Sequence, residues 1–259
     1  MKKILLKNAP KNIPKKSTKE NVIIVALMVV WVLASIIASQ FVVGWLMVWL
    51  LGRETLTQPV WTAIYSLVSY LVAMALIIFV PPRLAKKWKF LSKNDADKPT
   101  DRKELGLSGM PTWTDIGLAP IAFVVSTILA AVLTWIFTVF PWFNAEQAQD
   151  VGFSTYLTPG DRVIAFLVLV VLAPIVEEII FRGWLYGKMR NRLSAPWAIL
   201  IVSLLFGLVH FQWNVSVNVF ALSVALCVLR EITGTIYAGI LTHMIKNGVA
   251  FYLLYVMGM

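Results

Sequence analysis

Charge is scarce in this chain. Asp, Glu, Lys and Arg make up 14% of its 259 residues, against about 25% in ordinary soluble domains. Hydrophobic residues reach 59%, where roughly 45–50% is usual, so a water-soluble globular domain is excluded. Cysteine is scarcer: the single Cys227 lies in an apolar run, no intramolecular disulfide can form, and the thiol reads as a packing residue. A signal-peptide cleavage pattern is lacking near the end of the first apolar run, Val22 to Leu51, which is too long for a leader and reads as a retained span. Internal repeat symmetry, the mark of many transporters, is also missing.

What fills the chain instead is apolar runs of about 20 residues, each able to cross roughly 30 Å of hydrocarbon as a helix. The expectation is an all-α, polytopic integral membrane helical bundle with seven or eight transmembrane helices. The expected spans are 21–51, 59–80, 117–140, 162–187, 196–213 and 215–229, followed by a last stretch, 232–257, that either stays whole or breaks near Lys246. Pro81-Pro82 is read as stopping the second span, and Arg230-Glu231 as a turn. Residues 1–20 are expected to form a basic tail and 21–160 the first transmembrane helices with a basic cytoplasmic loop at 83–115, ahead of the remaining stretch 161–259.

The formal charge of +10 follows topology rather than a nucleic-acid partner. Lysines of the first 20 residues, the cations of 83–103, and Lys188, Arg190 and Arg192 all fall on one side if the N-terminus is cytoplasmic. Membrane lipids, with anionic headgroups against the tail, are the partners this implies.

Against that apolar background stand Glu177, Glu178 and Arg182 inside a run that is otherwise apolar from Val163 to Leu185. Ionisable groups at mid-membrane cost a few kcal/mol each and mark function by default. Glu178 and Arg182, four apart, share a helix face and can pair, either as a packing bridge or as part of a site, while Glu177 points about 100° away. Both histidines of the chain, His210 and His243, are intramembrane. Counted from the expected cytoplasmic helix ends at about 1.5 Å per residue, Glu177, His210 and His243 lie roughly 16, 20 and 16 Å deep, close to one level. His243 and Asn247, four apart, can present two N–H donors to one point, as an oxyanion needs. A carboxylate beside an imidazole is what turns water into a nucleophile. Lys246 stays open: it can snorkel, pair with an acid or mark a helix break.

Glu177-Glu178-x-x-x-Arg182, Phe206-x-x-x-His210 and His243-x-x-x-Asn247, in that order on successive apolar stretches, resemble the CAAX-protease and bacteriocin-processing family, also called CPBP or Abi. The resemblance covers 161–259. It implies an intramembrane endopeptidase with an eight-helix core and a site opening to the cytoplasm. In that reading Glu177 and His210 activate water, His243 and Asn247 hold the oxyanion, and the substrate is a membrane-associated peptide or membrane-tethered protein. Compact size and the basic tail resemble the bacterial members, linked to bacteriocin or signalling-peptide maturation and to self-immunity, in the plasma membrane.

The family is also described as metalloproteases. Zinc takes three protein ligands and a water, which Glu177, His210 and His243 would just supply. The lack of an H-E-x-x-H and the poor zinc affinity of an Asn favour metal-free water activation. Two rivals belong to other classes: a proton-coupled transporter, since buried Glu, His and Lys also form proton relays, and a non-catalytic membrane immunity or scaffold protein.

Overall fold

A computed structural model describes residues 18–87, 100–147, 153 and 157–258. The basic tail up to residue 17 and most of the expected turns at 94–101 lie outside them. Among the described residues the protein is a bundle of seven helices: α1 (Thr18–Leu51), α2 (Pro59–Lys87), α3 (Trp113–Phe137), α4 (Pro159–Arg190), α5 (Ala195–Leu208), α6 (Trp213–Thr233) and α7 (Tyr237–Tyr255). Five of these, α1 to α4 and α6, are long and apolar enough to cross a membrane. At about 1.5 Å per residue the 14 residues of α5 span only about 21 Å, short of a full crossing.

Helix limits follow local chemistry. Thr112 and Asp115 form a capping box that starts α3, and Thr158 and Asp161 do the same for α4. Both helices therefore begin earlier than their apolar runs. Pro81 and Pro82 do not stop α2, contrary to expectation; it continues to Lys87. Each proline removes one hydrogen bond, but Ile77 and Ile78 are packed just before them and Arg83 donates to the Phe79 carbonyl one turn back. Arg230 and Glu231 belong to the last turns of α6, which ends at Gly234 in the left-handed conformation (φ 74°). The last apolar stretch is one helix, unbroken at Lys246.

α4 sits at the centre. Nearly half of its apolar window is buried (44%), as is 50% of that of α6, against 22–28% for α1 to α3. α4 touches α1, α2, α5, α6 and α7, while α6 packs against α3 and α5 and α7 packs against α3. The helix is not uniform: wide π turns at Leu167–Leu172 and Ile179–Tyr186 flank an α segment, Ala173–Glu178. The first π stretch precedes Pro174, whose missing N–H and ring would clash with an α-helical partner carbonyl; the wider turn relieves that conflict, and the Ala173 N–H reaches back to the Val168 carbonyl.

Each end of the bundle is latched by a connecting segment. At the basic end, residues 100–109 lie on α4 and α6: Lys188 pairs with Glu104 (2.9 Å), Arg230 donates to the carbonyls of Glu104 and Gly234, and the Tyr237 hydroxyl donates to the Gly109 carbonyl (2.9 Å). At the other end, Asn214 donates to the carbonyls of Ala145 (3.3 Å) and Gln147 (2.7 Å), beside a Trp142–Trp213 ring contact.

Candidate active site

The α segment of α4 ends on the two acids and aims them differently. Glu178 is fully buried and accepts from Arg182 Nη1 at 2.8 Å. The same oxygen lies 3.1 Å from His243 Nδ1. Its other oxygen, Oε2, faces Gly239 of α7, where an added Cβ would stand 3.0 Å away. Glycine there lets α7 approach the carboxylate. Arg182, also fully buried, lies 4.3 Å over the Phe206 ring, a cation–π contact that helps hold a desolvated cation. Glu178 Oε2 and Arg182 Nε and Nη2 nevertheless have no hydrogen-bond partner among the described residues.

Glu177 keeps 16% of its side chain exposed and faces a cavity of about 230 Å³. Its Oε1 accepts from the Tyr70 hydroxyl at 2.7 Å, and its Oε2 lies 3.8 Å from His243 Nε2. That is beyond a direct hydrogen bond and within the span of one bridging water. His210 lines the same cavity, together with Tyr70, Ser69 and Phe206.

His210 is not inside a helix, as the sequence suggested. α5 ends at Leu208, and His210 lies in a tight turn closed by Phe211 at φ 54°, with Nδ1 bonded to the Phe206 carbonyl at 2.8 Å. Gly207 explains the placement: a Cβ there would meet the Ser216 carbonyl at 2.9 Å, so α5 and α6 cross closely just before the turn. The depth argument also shifts, because α7 begins at Tyr237 rather than Ile232, leaving His243 only about 9 Å into its helix. Helix packing, not equal depth along parallel axes, brings His243 to Glu178.

The fold thus gathers Glu177, Glu178, Arg182, His210 and His243 around the Phe206 ring, whose centroid is 5.1 Å from that of His210 and 5.8 Å from that of His243. His243, 3% exposed, stands behind Glu177 and is not part of the cavity wall. Asn247 departs further from expectation. Its Nδ2 donates to the Leu169 carbonyl (2.9 Å), in the first π stretch of α4, so one of its two amide hydrogens is already committed.

Tyr70 escaped the sequence reading. The available signal was a polar stripe on α2, Thr62, Ser66, Ser69 and Tyr70, at helical spacing within an apolar span.

The zinc candidates Glu177, His210 and His243 do not form a metal-holding group: no cluster of three His, Cys, Asp or Glu side chains with that geometry occurs among the described residues. Tyr70 occupies one Glu177 oxygen, and the Phe206 carbonyl engages His210 Nδ1.

A helical membrane bundle whose central helix α4 carries the two acids and the arginine, with one imidazole on α7 and the other in the turn after α5, defines the class of the protein. Residues 159–249 match the family described as type II CAAX prenyl endopeptidase Rce1-like. The match covers α4 to most of α7 and supports, in general terms, an intramembrane endopeptidase of the CAAX-processing type. Comparisons with curated proteins and with solved structures give no match.

Proposed function

We propose that the protein hydrolyses a peptide bond in a membrane-associated peptide or membrane-tethered protein, with Glu177 as general base. The observation that carries this reading is that Glu177 and His210 face one intramembrane cavity while the Glu178–Arg182–His243 cluster is locked behind them. A water between Glu177 and His210 gives its proton to Glu177 as its oxygen bonds to the scissile carbonyl carbon. The carbonyl electron pair moves to oxygen. Collapse breaks the C–N bond, and the proton held by Glu177 passes to the leaving amine.

Glu178 and Arg182 position His243, whose Nδ1 is engaged by Glu178. This reading assigns to the oxyanion the second amide hydrogen of Asn247 and an Nε2–H of His243; neither residue lines the cavity, so the carbonyl oxygen would have to enter past Glu177 to reach them. The basic end, with Lys103, Lys188, Arg190, Arg192 and Arg230, is assigned to the cytoplasm by the positive-inside rule, which also puts the N-terminus there. The compact chain resembles bacterial plasma-membrane members in maturation of bacteriocin or signalling peptides, or in self-immunity.

The test is a comparison of the peptides in cells carrying the wild-type chain and cells carrying Glu177→Ala. A peptide that loses its mature terminus only in the variant names the substrate. Identical peptide sets would remove the peptidase reading in favour of transport or a non-catalytic role.

A further inference from the structure

The matched family segment begins at residue 159, yet the cavity in front of Glu177 is closed largely by the α1–α2 pair. Of that pair, Tyr70 is the residue that reaches the acid. Its hydroxyl donates to Glu177 Oε1 at 2.7 Å across 107 residues of sequence. This is the short distance of a charge-assisted O–H···O⁻ bond. With Oε1 held by α2, the other oxygen, Oε2, is left facing His243 Nε2. A carboxylate on a long, rotatable side chain beside a cavity would otherwise sample several rotamers, and a general base works only within hydrogen-bond or one-water reach of the proton it takes.

Resting on the peptidase reading above, we infer that Tyr70 is a positioning residue, supplied from outside the family segment, that holds Glu177 by Oε1 and so fixes Oε2 as the oxygen left to take the proton of the attacking water. An interhelical tie of purely structural value would need no place on the cavity wall. Tyr70 has one, shared with His210. The groups around the carboxylate are otherwise Glu178 and Arg182 on α4, His210 after α5, and His243 and Lys246 on α7; among the described residues Tyr70 alone is hydrogen-bonded to Oε1. The phenol is therefore the group that sets which oxygen is free.

The test uses the full-length protein in detergent micelles and a quenched fluorogenic peptide carrying the cleavage site found by the peptide comparison. Tyr70→Phe removes one oxygen and keeps the ring. The expected result is a kcat lower by about 10–100-fold, a part of the roughly 10²–10⁴-fold that a positioned general base contributes, with KM and thermal stability unchanged. Wild-type kcat in Tyr70→Phe, or a loss that appears in KM or in stability instead, overturns the inference. Should Tyr70→Phe fail to accumulate, 3,5-difluorotyrosine at position 70 keeps the shape and strengthens the donor, which weakens the base: kcat lowered at unchanged KM supports the inference, and unchanged kcat overturns it. Glu177→Ala, assayed in parallel, separates the two readings. An active Glu177→Ala sinks the peptidase mechanism itself, whereas an inactive Glu177→Ala beside a fully active Tyr70→Phe sinks only the role of Tyr70.

Discussion

Two arginine–glutamate pairs in this protein look alike on paper and in their closest contact, and differ in burial and in how many hydrogen bonds they make. At the basic end, Glu231 accepts from Arg190 Nη2 (2.7 Å) and Nε (2.9 Å) and from the Tyr186 hydroxyl (2.7 Å). Both carboxylate oxygens are used, in the two-pronged geometry that suits a guanidinium, and the side chains keep 13% and 12% of their exposure. In the bundle centre, Glu178 and Arg182 are fully buried and joined by one 2.8 Å contact, and one carboxylate oxygen and two guanidinium nitrogens find no nitrogen or oxygen partner among the described residues. A pair that saturates its hydrogen bonds at a helix end is explained by stability. A desolvated pair that leaves bonds unmade is poorly explained by stability alone. What it does is hold the ring of His243, with Glu177 one residue away at the cavity.

The sharpest way to break that distinction is the acid beside the buried pair. Glu177→Gln is expected to lower kcat by about 10²–10⁴-fold, the range for removing a general base, while the melting temperature stays near wild type. A large stability loss with proportional activity loss would make Glu177 a packing residue.

Next comes the buried pair. Arg182→Ala should destabilise the folded protein by about 3–5 kcal/mol, because Glu178 is left as an uncompensated buried charge. Unfolding in mixed micelles measures it, and a change below about 1 kcal/mol, the value of an exposed ion pair, would erase the contrast with the end pair.

Asn247→Ala sharpens the comparison on the α7 side. If the free amide hydrogen serves the oxyanion, kcat falls by about 10²–10³-fold with KM unchanged. If Asn247 only ties α7 to the π turn through Leu169, stability falls and kcat per folded molecule does not.

Glu231→Ala should have a smaller effect, a loss of about 1.5–3 kcal/mol in stability for the charged hydrogen bonds it makes, with kcat per folded molecule retained. The smallest expected effect is that of a strong chelator: dialysis should leave activity unchanged, since the donor set does not assemble three ligands. Loss of activity restored by zinc would require His210 or His243 to move toward Glu177.

Much of this architecture was legible from residues alone. Apolar runs long enough to cross a bilayer are a local property, and so is the pairing of Glu178 with Arg182 at four-residue spacing. Helix starts were less legible, because capping boxes such as Thr112/Asp115 put polar residues inside the first turn, where hydropathy sees a loop. His210 was misplaced for a related reason: the apolar run continues through Phe211 to Trp213, while the backbone turns at Phe211. The polar stripe that includes Tyr70 could be seen on α2, but its partner could not, because that partner lies 107 positions away.

By itself the sequence determined that the chain is a helical membrane bundle, which residues carry its expensive polar groups, and which of the two acids pairs with Arg182. Those follow from hydropathy, burial cost and helical periodicity, all acting within a few turns. Tertiary structure alone decided that His243 docks on Glu178, that Asn247 ties to the π turn of α4, that His210 sits in a turn beside the cavity, and that α2 supplies Tyr70. Each of these depends on how helices far apart in sequence pack side by side. In a bilayer that packing is set by the close approach of small residues such as Gly207 and Gly239 and by a few polar contacts, and the residues on one helix do not say which helix they will meet.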